Sequence, residues 1–301
     1  MRVTQKMIMR NHSNLLSKNL KGASKAMAQA SSGKLYEKIS DNPIDISRAL
    51  SIRTKMGANE VYEKNIERAM SETDNAELAV LDINSSIQRI REVLSSAKSS
   101  GSVDTMEAAK VEVVQLAETL VDNLNVSFNG KHLFAGTLTK NKPFSIVSDG
   151  SGNPTIVNSG NDESMDVEIA DGVHVSKNIK PSSLFSYDGG TNTLSTTINK
   201  IVSDLSNSDN SNLNTYMEEL SQHETNVLTS LSKLGATSKR YEDMLETHAN
   251  FNFNLQDRLS NLEDADVDKA YIEYTQYQMA YEVSISAIQK LGQLSLLKIL
   301  R

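Results

Sequence analysis

The chain is 301 residues long, carries a net charge of −7 and contains no cysteine, so disulfides and thiolate metal sites are excluded. Aromatic residues make up 5% and Trp is absent, a composition that suits amphipathic helices with a narrow apolar seam better than a thick enzyme core. The charge is uneven: residues 1–40 hold eight Lys and Arg against Glu37 alone, and with no aromatic residue among the first 35 to stack on bases, a partner helix is the expected target and nucleic acid is not.

In chain order, the start Met1-Arg2-Val3-Thr4-Gln5-Lys6 has a positive charge but no apolar run behind it, so no signal peptide is expected. Leu16, Leu20, Ala23, Met27 and Ala30 recur at 4–3 spacing, which predicts a helix with one sticky face. From Ile66 the same spacing runs through Ala69, Thr73, Ala76, Val80, Ile83, Ile87, Ile90, Leu94 and Ala97. This is a sustained heptad seam, and it predicts a long helix paired with another long helix. Ser99-Ser100-Gly101-Ser102 should end it, and Asp104 should cap a further helix reaching about Asn125.

Between 130 and 191 the chain changes character. Eight of the 14 glycines and three of the four prolines fall there, around short alternating runs at 144–147, 155–157 and 165–169. A small β-rich insert is predicted, with the Asn129-Gly130 turn marking where helix gives way to it. A second seam then runs from Leu213 to Leu262, which as one helix would be roughly 75 Å long. The two seams should pack antiparallel. His248 falls on the second seam and reads as a polar interruption that sets register rather than a metal ligand. The C-terminal stretch carries Tyr274, Tyr277, Tyr281, Ile285, Ile288 and Leu291, then Leu294-Ser295-Leu296-Leu297-Lys298-Ile299-Leu300. Short helices of this kind are marginal alone and should order on meeting each other or another subunit.

The expected fold is therefore mainly α: a long antiparallel helical coiled-coil rod with a small β-rich insert and paired terminal helices. Residues 1–45 with 265–301 form the terminal helices, 46–129 with 192–264 the rod, and 130–191 the outer β domain. The residues expected to carry assembly are Leu16, Leu20, Met27, Tyr281, Ile285, Ile288, Leu291, Leu296 and Leu297. Those expected to form the rod seam are Val80, Ile83, Ile87, Ile90, Leu94, Leu231, Leu245, Leu255 and Leu259.

Nothing in the sequence assembles a catalytic constellation. No His pair has zinc-helix spacing, and Gly-rich phosphate loops and nucleophile elbows are absent. Asp264-Ala265-Asp266-Val267-Asp268 opens like a calcium loop, but Lys269 and Thr275 stand where Gly and Glu are needed. It reads as an acidic turn. No stretch is apolar enough to span a membrane. No enzyme activity, cofactor or metal is expected.

Several segments carry a family resemblance. Ala30-Ser31-Ser32-Gly33-Lys34-Leu35 followed by Ser40-Asp41-Asn42-Pro43 resembles the N-terminal signature of the bacterial flagellin family, with Asn42 where that family has a second acidic residue. Ser86 to Leu94 is similar to its next helix, and Arg258 to Asp266 to its C-terminal motif. Asn129 to Thr137, with Lys142-Pro143-Phe144, resembles the junction proteins of that family more than the filament subunit. The resemblance implies a secreted, extracellular structural subunit at the hook–filament junction of the bacterial flagellum. It implies type III export with a flagellar chaperone on the C-terminal helix, and a ring of copies joining hook-associated protein 1 to flagellin. It implies no nucleic acid and no membrane insertion. Flagellin itself, the filament subunit, is the alternative.

Overall fold

The computed structural model describes the backbone of residues 5–148, 154–187 and 192–299, and the side chains of residues 7–148, 154–186 and 193–290. The fold is mainly α-helical, with small antiparallel hairpins confined to the middle of the chain. It divides into two compact units: Met1–Ala58 with Asn250–Arg301, and Asn59–Ala249. Two helices contribute to both, α2 (Pro43–Ser100) and α6 (Leu213–Glu263).

In the unit 59–249, the heptad seams of α2 and α6 face each other. Ile83, Ile87, Ile90 and Leu94 are 0–1% exposed, as are Leu213, Leu220 and Val227 across from them. Polar contacts fix the direction. Lys98 Nζ donates to Asn214 Oδ1 at 2.5 Å, Arg91 Nη1 meets Glu224 Oε2 at 2.5 Å, and Ser238 Oγ donates to Asp74 Oδ1 at 3.3 Å. One number falls as the other rises, so the pair is antiparallel. Thr73, the polar break in the first seam, is fully buried because its hydroxyl donates to the carbonyl of Ala69 in its own helix; a buried hydroxyl bonded this way costs little.

Helix α3 (Val103–Leu124) folds back onto α2. Gly101, at φ +61°, takes the left-handed conformation that ends α2 and that a Cβ disfavours. That turn places Ser102 in extended backbone, where its Oγ accepts from the amide of Thr105. Ser102 is thus the cap, and the expected cap Asp104 sits one residue inside the first turn, where its charge still suits the helix N-terminus. Helix α5 (Leu194–Ser206) was not singled out from the sequence, although Leu194, Ile198, Ile201 and Leu205 recur at the same 4–3–4 spacing and form its buried face. It packs on α3 and begins with a reciprocal capping box between Thr193 and Thr196, two hydroxyl residues that answer each other's backbone amides.

Among the described residues, the β-rich segment is four separate two-stranded antiparallel pairs. Strands β1 (Ser127–Phe128) and β2 (Lys131–His132) flank Asn129 and Gly130, both at positive φ, the turn that matches strand twist in two-residue loops. The next pair is β3 (Phe144–Ser148) with β4 (Pro154–Asn158), in register Ile146 to Ile156. Each outer edge of this hairpin is answered by one side chain. The Asn125 amide accepts from Phe144 N and donates to Phe144 O, and Ser195 Oγ accepts from Ile156 N and donates to Ile156 O. Gly136 lies so close to the carbonyl of Asn161 that a Cβ there would sit 2.0 Å away.

Strands β5 (Asp166–Ala170) and β6 (Val173–Ser176) pack Ile169 and Val175 against Ile66, Ala69 and Tyr241. His248 secures this corner. Its Nε2 donates to the Ile169 carbonyl at 2.7 Å, its Nδ1 faces Asn59 Oδ1, and Asn59 Nδ2 donates to the His248 carbonyl at 3.1 Å. A short helix α4 (Pro181–Phe185) and the pair β7 (Ser186–Tyr187) with β8 (Asn192–Thr193) complete the segment; Phe185 stacks on Phe144 at 4.7 Å. The sequence reading set 130–191 apart as a domain of its own. Here Phe144, Ile156, Leu184 and Phe185 share one core cluster with α2, α3, α5 and α6, because hairpins this small cannot bury a face alone.

Candidate assembly surface

The unit 1–58 with 250–301 is built on α1 (Gln5–Ser32) and α7 (Val267–Ile299), which pack antiparallel. The approach is close. The Tyr277 ring lies over Gly22, where a Cβ would stand 2.7 Å from it. Asn19 Nδ2 donates to Ser284 Oγ at 3.2 Å, and Ala26 and Ala270 are 2% and 5% exposed. Small residues set this spacing, as they do wherever helices approach within a ring's thickness.

At 100° per residue, Asn19, Gly22 and Ala26 occupy one side of α1, while Met9, Leu16, Leu20 and Met27 cluster about 100° away. The face that meets α7 is therefore not the apolar seam read from the sequence. Met9, Leu20 and Met27 remain 57%, 56% and 48% exposed, and Leu16 is half-buried. A third side carries Arg10, Lys18, Lys21 and Lys25, all exposed and without ion pairs among the described residues.

On α7 the expected residues Tyr281, Ile285 and Ile288 are half-buried on the same side as Tyr277 and Ser284. Leu291, Leu296 and Leu297 lie outside the residues whose side chains are described. The sequence reading missed the opposite side of α7, where Ile272, Met279 and Val283 are 55%, 58% and 69% exposed. Their 7-and-4 spacing was visible, but the neighbouring tyrosines drew the seam elsewhere. Of the expected rod-seam residues, Val80, Ile83, Ile87, Ile90, Leu94, Leu255 and Leu259 are buried, and Leu231 and Leu245 are half-buried.

The two sequence signatures meet at one staple. After Gly33 at φ +67°, Leu35 N donates to Glu263 O at 2.6 Å, and Ala265 N donates to Gly33 O at 2.9 Å. Lys34 Nζ pairs with Asp264 Oδ1 at 2.8 Å, and Glu263 Oε2 takes both Lys34, at 3.4 Å, and Arg53 Nη2, at 2.5 Å. The hydrogen bond to Asp264 holds the Lys34 ammonium above its ordinary pKa and, reciprocally, holds Asp264 below the usual carboxylate range. Asn42 caps α2 by accepting from Asp45 N at 3.3 Å, the job an Asp would do in its place. Asp266 caps α7 by accepting from Lys269 N at 3.0 Å, so the acidic run is a helix start.

Among the described residues no group of His, Asp and Glu could hold a metal ion, and no helix is long and apolar enough to cross a membrane. What the unit offers is helical surface with unpartnered apolar stripes.

The bacterial flagellin N-terminal helical region matches residues 3–139, and the bacterial flagellin C-terminal helical region matches residues 217–300. A flagellin of Bacillus subtilis (strain 168) is 23% identical over 310 residues, covering 97% of each chain. Among solved structures, a flagellar hook-associated protein of Vibrio parahaemolyticus is 18% identical, with a TM-score of 0.65, over 74% of this chain and 100% of that one. Flagellar hook-associated protein 3 of Legionella pneumophila is 13% identical, with a TM-score of 0.62, over 70% and 98%. FlgL of Bacillus cereus is 18% identical, with a TM-score of 0.58, over 70% and 99%. With both helical regions matched at the two ends and the staple joining their signatures, this chain belongs to the bacterial flagellin family.

Proposed function

We propose that this chain is a structural subunit of the bacterial flagellum that forms the junction between hook and filament. It works by packing and performs no chemistry. The observation that carries the reading is the pair of unpartnered stripes, Met9/Leu20/Met27 on α1 and Ile272/Met279/Val283 on α7, which lie outside the contact the two helices make with each other. Burying such stripes against neighbouring copies stabilises a ring by about 25 cal/mol per Å² of apolar area. Association also completes the ordering of helices that are marginal alone. The fold's likeness to hook-associated proteins supports the junction position.

In this reading the subunit is exported through the type III apparatus with a chaperone on its C-terminal helix. It then forms a ring outside the cell, with hook-associated protein 1 on one side and flagellin on the other. The filament subunit itself is the second reading, favoured by the full-length similarity to a flagellin. Immunogold labelling of isolated flagella with antibody to residues 130–190 separates the two. A single band at the hook–filament boundary is expected. Label along the whole filament would make the chain a filament subunit, and absence of label in a flagellated strain expressing it would overturn both readings.

A further inference from the structure

A groove of about 460 Å³ lies on the unit 59–249, between α6 and the segment joining β6 to α4. Buried Leu234 and half-buried Ile179 line it, together with Ala236 and Thr237. Lys180 and Lys233 line it as well. Both are exposed, and neither is ion-paired among the described residues. Lys177, the third lysine at the groove, is already held by Glu72 at 2.6 Å. An apolar lining beside two uncommitted cations suits an anionic amphipathic helix.

The same unit displays one. The inner side of α3 is anchored in the core through Met106, Val113, Ala117 and Leu120. On its outer side Val103 and Val111 are 66% and 51% exposed. Asp104, Glu107, Glu118 and Asp122 are exposed on that same side, within about 100° of arc. Glu107 has Lys110 at 3.8 Å, whereas Asp104, Glu118 and Asp122 have no ion pair among the described residues. Groove and helix face share no residue.

Resting on the assembly reading above, we infer that the groove receives the outer face of α3 from a second copy of this chain. Exposed valines settle on Leu234 and Ile179, and the free carboxylates meet Lys180 and Lys233. Two different patches meet, so the contact is head-to-tail, the kind that propagates around a ring or along a helix and does not stop at a dimer.

The absence of cysteine makes the test direct. Full-length chain carrying Val111→Cys and Thr237→Cys is assembled into flagella and oxidised with copper–phenanthroline. The expected result is a ladder of dimers and larger species from the double variant, and no cross-link from either single variant. Reversing the groove with Lys180→Glu and Lys233→Glu should cut the yield about tenfold, and pairing it with Glu118→Lys and Asp122→Lys should restore it. Monomer alone, with the chain present in the flagella, overturns this contact and leaves the junction reading standing. A dimer from Val111→Cys alone, or a yield indifferent to charge reversal, also overturns it. Absence of both variant and wild-type chain from flagella overturns the contact and the junction reading together.

Discussion

The helix pairs α2–α6 and α1–α7 are both antiparallel, yet they spend their apolar residues differently. On α2 the sequence seam and the contact surface coincide: Val80, Ile83, Ile87, Ile90 and Leu94 are all buried. On α1 they diverge. Gly22 and Ala26 make the contact, and Leu20 and Met27 stay in solvent. A heptad seam states only that a partner is wanted. Which partner gets it is decided by what else the helix offers, and a glycine under a tyrosine ring can take the close contact while leaving the seam for another chain.

The comparison can be broken most forcefully in the self-sufficient pair. Ile87→Ala removes a fully buried seam residue, and chemical denaturation of the full chain should show a loss of about 2–5 kcal/mol. A smaller loss would mean the seam relaxes around the gap. Acid should act on the same unit through His223. This ring is 0% exposed, and burial pushes its pKa down to about 4 from 6.5. Because the folded pKa is depressed, the stability is complete above pH 6.5. It falls as the unfolded state takes up a proton, by up to roughly 3 kcal/mol near pH 4. In His223→Leu, melting temperature against pH should lose most of this slope, and an unchanged slope would place the acid sensitivity elsewhere.

In the other pair, Gly22→Leu drives a side chain into the Tyr277 ring and should cost about 1–3 kcal/mol. Hydrogen exchange should quicken in α1 and α7 and stay as it was in α3 and α5. The smallest effect on the free chain is expected for Leu20→Ser with Met27→Ser, since both residues are exposed. Stability should move by no more than about 0.5 kcal/mol, while incorporation into flagella is lost. Normal incorporation of that double variant would show that the stripe is ordinary surface.

Much of this architecture was legible from residue spacing. The period of 66–97 and 213–262 named both long helices; the observed α6 spans Leu213–Glu263. The glycine and proline cluster located the hairpins, and Asn129-Gly130 gave the turn at positive φ. The orientation of α1 was not legible, because Gly22 adds nothing to a hydrophobic pattern and Ala26 falls off the 4–3 seam of Leu16, Leu20, Ala23, Met27 and Ala30, and close approach depends on what a residue lacks. Helix α5 was legible and went unread: Leu194, Ile198, Ile201 and Leu205 repeat at 4–3–4 spacing. Its 13 residues hold less than two heptads, and it is fixed by hydroxyl capping and by the core it meets. The groove beside Leu234 joins residues more than 50 positions apart and has no linear signature.

The closed edges of the β3–β4 hairpin bear on a different hazard. A chain that gathers beside many copies of itself brings identical strands together at high local concentration, the condition under which open strand edges zip into cross-β aggregates. Here Asn125 and Ser195 occupy the outward amide and carbonyl of Phe144 and Ile156, and Pro154 has no N–H to offer at the start of β4. An incoming strand would have to displace side chains that already supply both donor and acceptor. Crowding is thereby steered away from fibre-like pairing at this hairpin.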